Sequence, residues 1–419
     1  MSSRQVAAEL VSRWLDTGDF PDRLLQAVHA DRPFITEIVL GVARRRRTLE
    51  WALERHMRHR PGGMLGACLL VGAYQILFMT NVAEYAIVNE TVEAANALIG
   101  KRSRSVVNGV LRNLLRHRDA LRAELQKEKL AIRESHPDAL VDRWVARLGE
   151  EATVSICRWN NQLPKLTVCL NSSRRSVSQF MTDLGAAGIH AEPHPAAPST
   201  CVILPSGTNP SRLPGYAEGF FTVQDPAGLK AIELLNAQPG ERILDACAAP
   251  GGKAVRIAIA MQGKGTFVAM DKHDDRLTRL KENLERMSLE ATIVRGDACT
   301  ANLRALIDGE MFDRILLDIP CTNTGVLSRR PDARWRFSKT RLKTMTAQQK
   351  AMLENAAKAV RPGGCLVYST CSIEPEEGEE LVTSWCLAHA TFELKESQWL
   401  IPPGAMTDGA FAAQIVRVA

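Results

Sequence analysis

Residues 241–255 read ERILDACAAPGGKAV, and this stretch decides the fold of the second half of the chain. Ile243 and Leu244 are typical of a buried strand, Asp245 stands at its carboxyl end, and a helix is predicted from Ala254 onwards. The Gly, Pro and Ala residues in between are small enough to let a ligand approach the backbone. This pattern is typical of the ligand-binding corner of a doubly wound α/β domain. Many tight strand-to-helix turns look alike, so the interpretation depends on the downstream sequence.

After residue 220 strands and helices alternate, with strands predicted at residues 241–245, 266–271, 291–297, 312–318 and 364–369. This alternation predicts a mostly parallel sheet covered by helices on both faces. An aspartate ends four consecutive strands, namely Asp245, Asp271, Asp297 and Asp318. One such acid is usually a helix cap. Four of them at the edge where parallel sheets bind ligands indicate a binding site.

The acids and the first turn together indicate an adenosyl ligand. Asp271 lies about 20 residues beyond the glycines, where a carboxylate accepts hydrogen bonds from ribose hydroxyls. Asp297 is placed for the exocyclic amine of an adenine. The turn lacks the dinucleotide-binding glycine pattern, because residues 247–250 read CAAP, and Ala254 stands where a P-loop has its hydroxyl. Adenosine binding without a phosphate cradle favours S-adenosylmethionine over NAD or ATP.

Two cysteines follow the last two of these strands, Cys321 in DIPC and Cys371 in YSTCS. Each alone would be interpreted as a buried structural thiol, but two thiols beside Asp318 and a methyl donor suit methylation of a pyrimidine at C5. A thiolate that adds at C6 makes C5 nucleophilic. A carboxylic acid hydrogen-bonded to the ring stabilises the charge that develops. These residues alone do not decide which thiol attacks.

The first 125 residues are predicted to be all helical, and they carry nearly all of the excess positive charge. Residues 1–120 contain 17 Lys and Arg against 12 Asp and Glu, and the remainder contains 36 against 35. The run Arg44, Arg45, Arg46 and Arg47 fills one helical turn, and a second basic cluster spans residues 101–104. A solvated face is the usual explanation of a charge run. We nevertheless predict RNA contact, because four adjacent arginines cannot all find carboxylates and a phosphate backbone would relieve them.

Residues 126–220 predict a helical connection and a small α/β unit, with strands at residues 166–171, 188–190 and 201–204 and a helix at 177–187. No catalytic constellation occurs in it. Apolar residues make up 45% and charged residues 24% of the chain, as in an ordinary globular protein. No transmembrane segment or secretory signal is predicted. Ten scattered cysteines argue against disulfides and a zinc site, so we expect a cytoplasmic protein.

Several motifs carry a family resemblance. DACAAPGGK, GDA, DIPCTNTGV, RRPDARW and YSTCSIEPEE resemble the successive motifs of the RNA cytosine-C5 methyltransferases. FITEIVLGVARRRRTLEWAL, AIVNETVEAANALI and VVNGVLRNLL resemble the NusB-type helical RNA-binding domain. Essentially the whole chain resembles the bacterial ribosomal RNA small-subunit methyltransferase B family (the Fmu/Sun group). The implied α/β architecture has a NusB-like domain at residues 1–125, a helical linker and small α/β subdomain at 126–220, and a Rossmann-like methyltransferase domain at 221–419.

The resemblance also implies roles for individual residues. Cys371 would be the nucleophile, Cys321 would assist release of the methylated product, and Asp318 would contact the cytosine ring. The implied S-adenosylmethionine site consists of Cys247, Ala248, Ala249, Pro250, Gly251, Gly252, Lys253, Asp271, Arg276, Asp297 and Asp318. The implied substrate is small-subunit (16S) ribosomal RNA. One alternative is the same chemistry on transfer RNA, and another is that the protein is a non-catalytic RNA-binding assembly factor. No metal and no membrane are implied, and a monomer is expected.

Three stretches depart from the family pattern. The family's D-A-P-C-S-G-T-G is here DIPCTNTG, so Asn323 replaces a glycine and either restricts the loop or adopts a left-handed conformation. Leu229 replaces the last glutamine of a Q-D-x-S-A-Q run, and residues 408–411 lack one aromatic residue. None of these changes removes a catalytic group, so they bear on the choice of target.

Overall fold

The computed structural model describes residues 1–57, 59 and 61–418. The chain divides into two compact units, the first formed by residues 1–162 with 327–336 and the second by residues 163–326 with 337–419. Residues 327–336 therefore belong to the first unit, although in sequence they interrupt the second. The three-domain division at residues 125 and 220 stays a prediction, as do the monomeric state and the cytoplasmic location.

The described residues of the first unit contain helices and the loops between them, and no strand. Its helices are α1 (Ser3–Thr17), α2 (Pro21–Leu24), α3 (Arg32–Glu54), α4 (Gly63–Phe78), α5 (Glu84–Ile99), α6 (Arg102–Arg116), α7 (Arg118–Leu125), α8 (Leu130–Arg133), α9 (Asp138–Leu148) and α10 (Glu150–Asn160). The helix α4 is buried along residues 66–77, because its apolar residues surround the axis and other helices cover every side. In the part of the chain that the structure describes, no helix is both long and apolar enough to cross a membrane.

The arginine run lies in α3, and its first two side chains belong to the interior of this unit. Arg44 is buried and donates to the carbonyl oxygen of Ser328 at 2.8 Å. Arg45 lies over the ring of Phe78 and 3.9 Å from the carboxylate of Glu134. Burial lowers the pKa of both guanidinium groups below the usual arginine value. Arg44 is therefore closed to a phosphate, and Arg45 keeps only 22% of its side chain exposed.

The other two arginines of the run are also paired. Arg46 donates to Glu50 at 2.9 Å and lies over the ring of Trp335, and Arg47 donates to Asp138 at 2.6 Å. The four arginines therefore do not need a phosphate backbone to relieve their crowding, and RNA contact by the helical unit stays a prediction. Carbonyl, carboxylate and aromatic partners, several of them distant in sequence, stabilise all four guanidinium groups within the helical unit.

The RRPDARW motif also belongs to the packing of the first unit. Residues Pro331–Arg336 form a 3₁₀-helix in which Arg334 is completely buried. Its guanidinium donates to the carbonyl oxygens of Ser135 and Asn160 and to the side-chain oxygen of Asn161, each at 3.0 Å. Burial lowers the pKa of Arg334 well below its usual value. One side chain therefore joins three segments of the helical unit.

The smaller sheet of the second unit is antiparallel, with the strand order β2-β3-β1-β4. Its elements are β1 (Leu166–Leu170), α11 (Val177–Ala186), β2 (Glu192–Pro193), β3 (Cys201–Leu204) and β4 (Phe221–Val223). The strand predicted at residues 188–190 is wrong. Gly188 takes a positive φ of 73° and Ile189 donates back to the carbonyl oxygen of Leu184 at 2.9 Å, so these residues terminate α11. The strand forms a few residues later instead.

Cysteine usage in this sheet differs from the expectation. The pairing of β1 with β3 places Cys169 opposite Cys201, and the two residues form a disulfide. The prediction against disulfides is therefore wrong for this pair. The two cysteines are 32 residues apart, so only the strand register reveals them as neighbours. Across residues 1–57, 59 and 61–418, no group of three or more His, Cys, Asp or Glu side chains is placed to hold a metal ion.

The larger sheet contains β5 (Arg242–Asp245), β6 (Thr266–Asp271), β7 (Thr292–Arg295), β8 (Phe312–Asp318), β9 (Val360–Thr370), β10 (Phe392–Leu400) and β11 (Ala410–Arg417). The accompanying helices are α12 (Leu229–Leu235), α13 (Gly252–Met261), α14 (Asp274–Arg286), α15 (Lys339–Ala357) and α16 (Glu379–Ala388). The order β10-β11-β9-β8-β5-β6-β7 confirms the predicted parallel strands β5 to β9, whereas the antiparallel β10 and β11 were not predicted. Because β5 lies between β6 and β8, the strand order reverses there. This switch point is where such sheets bind ligands.

Candidate active site

The turn that follows β5 is held against the end of β6. The amide of Ala248 donates to the carbonyl oxygen of Met270 at 2.9 Å, and the amide of Ala249 donates to the carboxylate of Asp271 at 3.2 Å. Gly251 has a φ of 115°, which residues with a side chain rarely adopt, and Gly252 begins α13. The small residues of the turn therefore shape a backbone wall at the switch point of the sheet.

This wall borders a cavity of about 300 Å³, a size that suits a small-molecule ligand. The lining residues are Tyr216, Thr222, Val223, Gln224, Asp245, Cys247, Ala248, Ala249, Pro250, Gly252, Lys253, Asn283, Arg286 and Asp318. Three buried oxygen atoms among them lack a hydrogen-bond partner, namely Oδ2 of Asp245, Oε1 of Gln224 and Oγ1 of Thr222. Such acceptors are costly unless a donor reaches them. The amine and hydroxyl groups of S-adenosylmethionine meet this requirement.

Sequence reasoning missed Gln224 as a site residue. The available signal was its place at the start of the Q-D run, which is part of the family pattern. In the structure this run leads from β4 into the cavity wall.

Three charged groups meet where β5 and β8 end. Lys253 at the start of α13 donates through Nζ to Asp318 at 2.7 Å. Burial opposes the charge on Lys253, but Asp318 outweighs that effect and raises the pKa of Lys253 above its usual value. Burial, with a smaller effect from Asp318, raises the pKa of Asp245 to about 7. Lys253 is therefore charged near neutral pH, whereas Asp245 exchanges its proton there.

The structure gives the other predicted cofactor residues different neighbours. Asp271 has only 4% of its side-chain surface exposed and accepts from the Ala249 amide. Arg276 donates to the Ala249 carbonyl oxygen and lies 3.6 Å from Asp271. Asp297 accepts from Lys272 at 2.7 Å, and this hydrogen bond lowers the pKa of Asp297. Asp271 and Asp297 lie at the predicted sheet edge, whereas Arg276 lies on α14, and Asp271 and Arg276 contact the turn itself.

The two predicted thiols are brought together. The parallel pairing of β8 with β9 places Asp318 opposite Ser369, so the loops that follow the two strands emerge side by side. The sulfur atoms of Cys321 and Cys371 are 3.2 Å apart. The hydrogen bond to Cys371 and burial raise the pKa of Cys321 well above its ordinary value. Cys321 is buried and keeps its proton, whereas Cys371 is half-buried and presents the more accessible sulfur.

Asn323, the departure from the family pattern, touches both of these residues. Its φ of 62° confirms the left-handed alternative. Its Oδ1 accepts from the Cys371 thiol at 3.2 Å, and its Nδ2 donates to the Cys321 carbonyl oxygen at 3.1 Å. A glycine there would offer neither contact, so this substitution acts directly on the thiol pair.

Sequence reasoning also missed Glu377, a buried carboxylate that holds the Cys321 loop. Glu377 accepts from the amide of Thr322 and from the side chain of Gln349, both at 2.9 Å. Gln349 also donates to the carbonyl oxygen of Pro320 at 3.0 Å. Burial raises the pKa of Glu377. One hydrogen-bond network therefore fixes the residues on either side of Cys321. The only sequence signal for this role was the position of Glu377 in the YSTCSIEPEE motif.

Comparison with known families divides the chain into three matched parts. Residues 1–116 match the NusB family, residues 136–209 match a Methyltr_RsmF/B-like, ferredoxin-like domain, and residues 232–415 match the family 16S rRNA methyltransferase RsmB/F. The predicted order of a helical NusB-like region, a small α/β unit and a Rossmann-like methyltransferase sheet is thereby confirmed.

Two curated relatives resemble most of the chain. Ribosomal RNA small subunit methyltransferase B of Yersinia pestis is 33% identical over 431 residues, which covers 99% of this chain and 98% of the relative. Probable ribosomal RNA small subunit methyltransferase B of Synechocystis is 35% identical over 381 residues, which covers 89% and 85%.

Two solved structures resemble the fold. The crystal structure of PH0851 has a TM-score of 0.82 and 24% identity, and covers 99% of each chain. NSun6 from Pyrococcus horikoshii with SFG has a TM-score of 0.60 and 21% identity, and covers 68% of this chain and 99% of its own. At these identities the likeness supports the fold alone.

Proposed function

This chain belongs to the 16S rRNA methyltransferase RsmB/F family, and we propose that it methylates cytosine C5 in small-subunit ribosomal RNA through a covalent bond between Cys371 and C6 of the base. The observation that carries the proposal is the pair of sulfur atoms 3.2 Å apart at the same sheet edge as the Lys253–Asp318 ion pair. Methylation of an amine or a hydroxyl needs no thiol, because the acceptor atom is already nucleophilic. A pyrimidine carbon does need one.

S-adenosylmethionine, the methyl donor of this family, supplies on binding a methyl group made electrophilic by its sulfonium. Residues 247–253 would form the wall of its site, with Asp245 and Gln224 accepting hydrogen bonds from its amine and hydroxyl groups. Asp271 and Arg276 would position the turn, and Asp297 stays a predicted contact of the adenosyl group.

The protein residues divide the remaining work. The half-buried Cys371 thiol loses its proton to solvent, and the resulting thiolate forms a bond to C6 while the electron pair of the C5–C6 double bond moves toward C5 and the ring. Asp318 would contact the ring where this charge develops, with the Lys253 ammonium beside it as the compensating charge. The target base must be unpaired or flipped out to reach these groups.

Product release requires loss of the C5 proton before Cys371 departs as a thiolate. The main cause of the raised pKa of Cys321 is its hydrogen bond to Cys371. That contribution weakens once the sulfur of Cys371 is bonded to carbon, because a thioether is a weaker acceptor, whereas burial still raises the pKa of Cys321. Cys321, whose sulfur lies 3.2 Å from that of Cys371, stays beside the adduct. We therefore assign proton removal from C5 to Cys321.

The test is incorporation of label from tritiated S-adenosylmethionine into 16S ribosomal RNA, into small-subunit particles and into transfer RNA, followed by bisulfite sequencing of ribosomal RNA from a deletion strain. The proposal expects label in small-subunit RNA and one or more cytosines that lose protection from bisulfite in the deletion strain. Label confined to transfer RNA would establish that alternative. Label in no RNA would leave a binding factor and refute the enzymatic role.

A further inference from the structure

A groove between α5 and α6 lies in the first unit, apart from the cavity described above. Its volume is about 630 Å³. The lining residues are Glu84, Tyr85, Val88, Asn89, Val92, Arg104, Ser105, Asn108, Arg112 and Leu115. None of them belongs to the arginine run of α3, so the groove is an independent surface feature of the helical unit.

The groove combines an apolar floor with an exposed aromatic ring. Val88 and Val92 are buried and form the floor, whereas Tyr85 is 77% exposed. Asn89 and Asn108 add amide groups that both donate and accept. Unpaired RNA bases are recognised by this chemistry, since a base stacks on an aromatic side chain while amide groups bond to its edge.

The charge of the groove suits a phosphate backbone. The helix α6 contains four arginines and neither Asp nor Glu. Arg104 and Arg112 are eight residues apart on this helix, so both lie on the face that lines the groove. Arg104 is paired with the exposed Glu93 and Arg112 donates to Asn108, so both guanidinium groups stay at the surface. They therefore differ from the buried Arg44, which donates to a main-chain carbonyl.

Among the described lining residues Glu84 is the one carboxylate, and it accepts from Arg118 at 2.7 Å. The pair neutralises the negative charge at that end of the groove. A polyanion consequently meets no uncompensated acid in the lining, and its phosphates gain from Arg112 and, by displacing the exposed Glu93, from Arg104.

We propose that this groove binds an unpaired nucleotide segment of the RNA substrate, with a base on Tyr85 and the flanking phosphates beside Arg104 and Arg112. The inference rests on the proposed function, because it supplies the RNA-holding surface of the same enzyme. It assigns RNA recognition in the helical unit to α5 and α6 instead of to the arginine run of α3.

The experiment measures binding of a short unstructured fluorescein-labelled RNA to the full-length protein by anisotropy over a range of salt concentrations. Tyr85→Ala is expected to weaken binding roughly tenfold, the loss typical of one stacked base, and Tyr85→Phe is expected to retain the wild-type affinity. The double variant Arg104→Gln/Arg112→Gln is expected to lower the slope of log affinity against log salt by about 1.4, as for two phosphate contacts on a single strand. All the substituted side chains are exposed, so circular dichroism should show an unchanged fold.

The matched control removes the same charge elsewhere, as Arg13→Gln/Arg23→Gln on exposed positions of the same unit. If the control pair weakens RNA binding as much as the groove pair, net charge accounts for binding and the proposal is overturned. Wild-type affinity in the groove variants also overturns it. Polyglutamate tests an acidic polypeptide as the occupant, and an equal loss of polyglutamate binding in the groove variants would contradict the nucleotide assignment. Methyl transfer by the wild-type protein is assayed separately, so failure of the groove is distinguishable from failure of the proposed function.

Discussion

The sheet edge of the second unit and the arginine run of the first unit both concentrate charged residues, yet their side chains end in different surroundings. At the sheet edge Lys253 and Asp318 form an ion pair beside a cavity. Asp245 also lines this cavity, and its Oδ2 has no hydrogen-bond partner. In the helical unit Arg44 donates to a main-chain carbonyl and Arg334 to several. A charged cluster therefore indicates a binding or catalytic site when it lines a cavity and has polar atoms without hydrogen-bond partners there. It indicates architecture when, as for Arg44 and Arg334, the side chains are buried and donate to main-chain carbonyls of their own unit, although the Nε atom of each has no partner.

Of the variants that test this comparison, we expect the largest loss of methyl transfer from Asp318→Asn at the edge of the larger sheet. The amide keeps the size of the carboxylate and still accepts from Lys253, but it loses the negative charge that keeps the Lys253 ammonium paired beside the ring. Methyl transfer to RNA should fall by about 10³-fold, with little change in the urea unfolding midpoint. Asp183→Asn, which alters the half-buried pair between Arg175 and Asp183 of α11, is the matched control. Comparable losses of methyl transfer in both variants would show that the charge at the edge of the larger sheet has no specific catalytic role.

In the helical unit the corresponding change is Arg334→Met, and there the expected loss is of stability. Removing the guanidinium leaves several buried acceptors without a donor, at a cost of about 3 kcal/mol or more. Urea denaturation measures this cost. Arg330→Met in the same segment removes an exposed side chain and should change stability by less than about 0.5 kcal/mol. The comparison would break if Arg334→Met left stability unchanged while abolishing methyl transfer.

A smaller effect is expected from pH at the cofactor cavity. Because burial raises the pKa of Asp245 to about 7, this side chain is protonated below that pH and ionised above it. The amine and hydroxyl donors of the cofactor bind the ionised form better. Affinity for S-adenosylhomocysteine should therefore fall as pH decreases below about 7, by up to about tenfold per pH unit. Calorimetry on either side of that pH measures it, and Asp245→Asn should abolish the dependence. A dependence of the same size in the variant would contradict the assignment.

The smallest effect concerns the arginine run. Arg47→Gln removes a charge whose partner is the exposed Asp138, so affinity for RNA should stay within about twofold of wild type. Anisotropy with labelled RNA checks this value against the groove variants of α6. A loss as large as that of Arg104→Gln/Arg112→Gln would restore the run as an RNA contact.

The sheet edge could be predicted from the sequence because its signals are local and its geometry is general. Asp245 and Asp318 mark the ends of strands, and parallel strands bring their carboxyl ends to one edge. Cys321 and Cys371 follow two neighbouring strands, so their convergence follows from the same rule. Asn323 could be predicted to tolerate a left-handed conformation, but its contact with Cys371 depends on how two loops pack.

The features that escaped prediction depend on partners far away in the chain. The partners of the arginine run include Ser328, nearly 300 residues beyond Arg44, and no local pattern reveals such a contact. The bond between Cys169 and Cys201 requires the strand register, and Glu377 requires the packing of Gln349 against the Cys321 loop. Local periodicity specifies elements and their ends, whereas the partners of a buried polar group are set by tertiary packing.

The most direct test of the central claim is capture of the covalent intermediate with each thiol removed in turn. Each variant is incubated with substrate RNA and S-adenosylmethionine, and the products are separated on a denaturing gel. We expect Cys321→Ala to accumulate a protein–RNA adduct, because attack proceeds while release fails. We expect Cys371→Ala to form no adduct and to transfer no methyl group. An adduct formed by Cys371→Ala and absent from Cys321→Ala would reverse the roles of the two thiols and contradict the account.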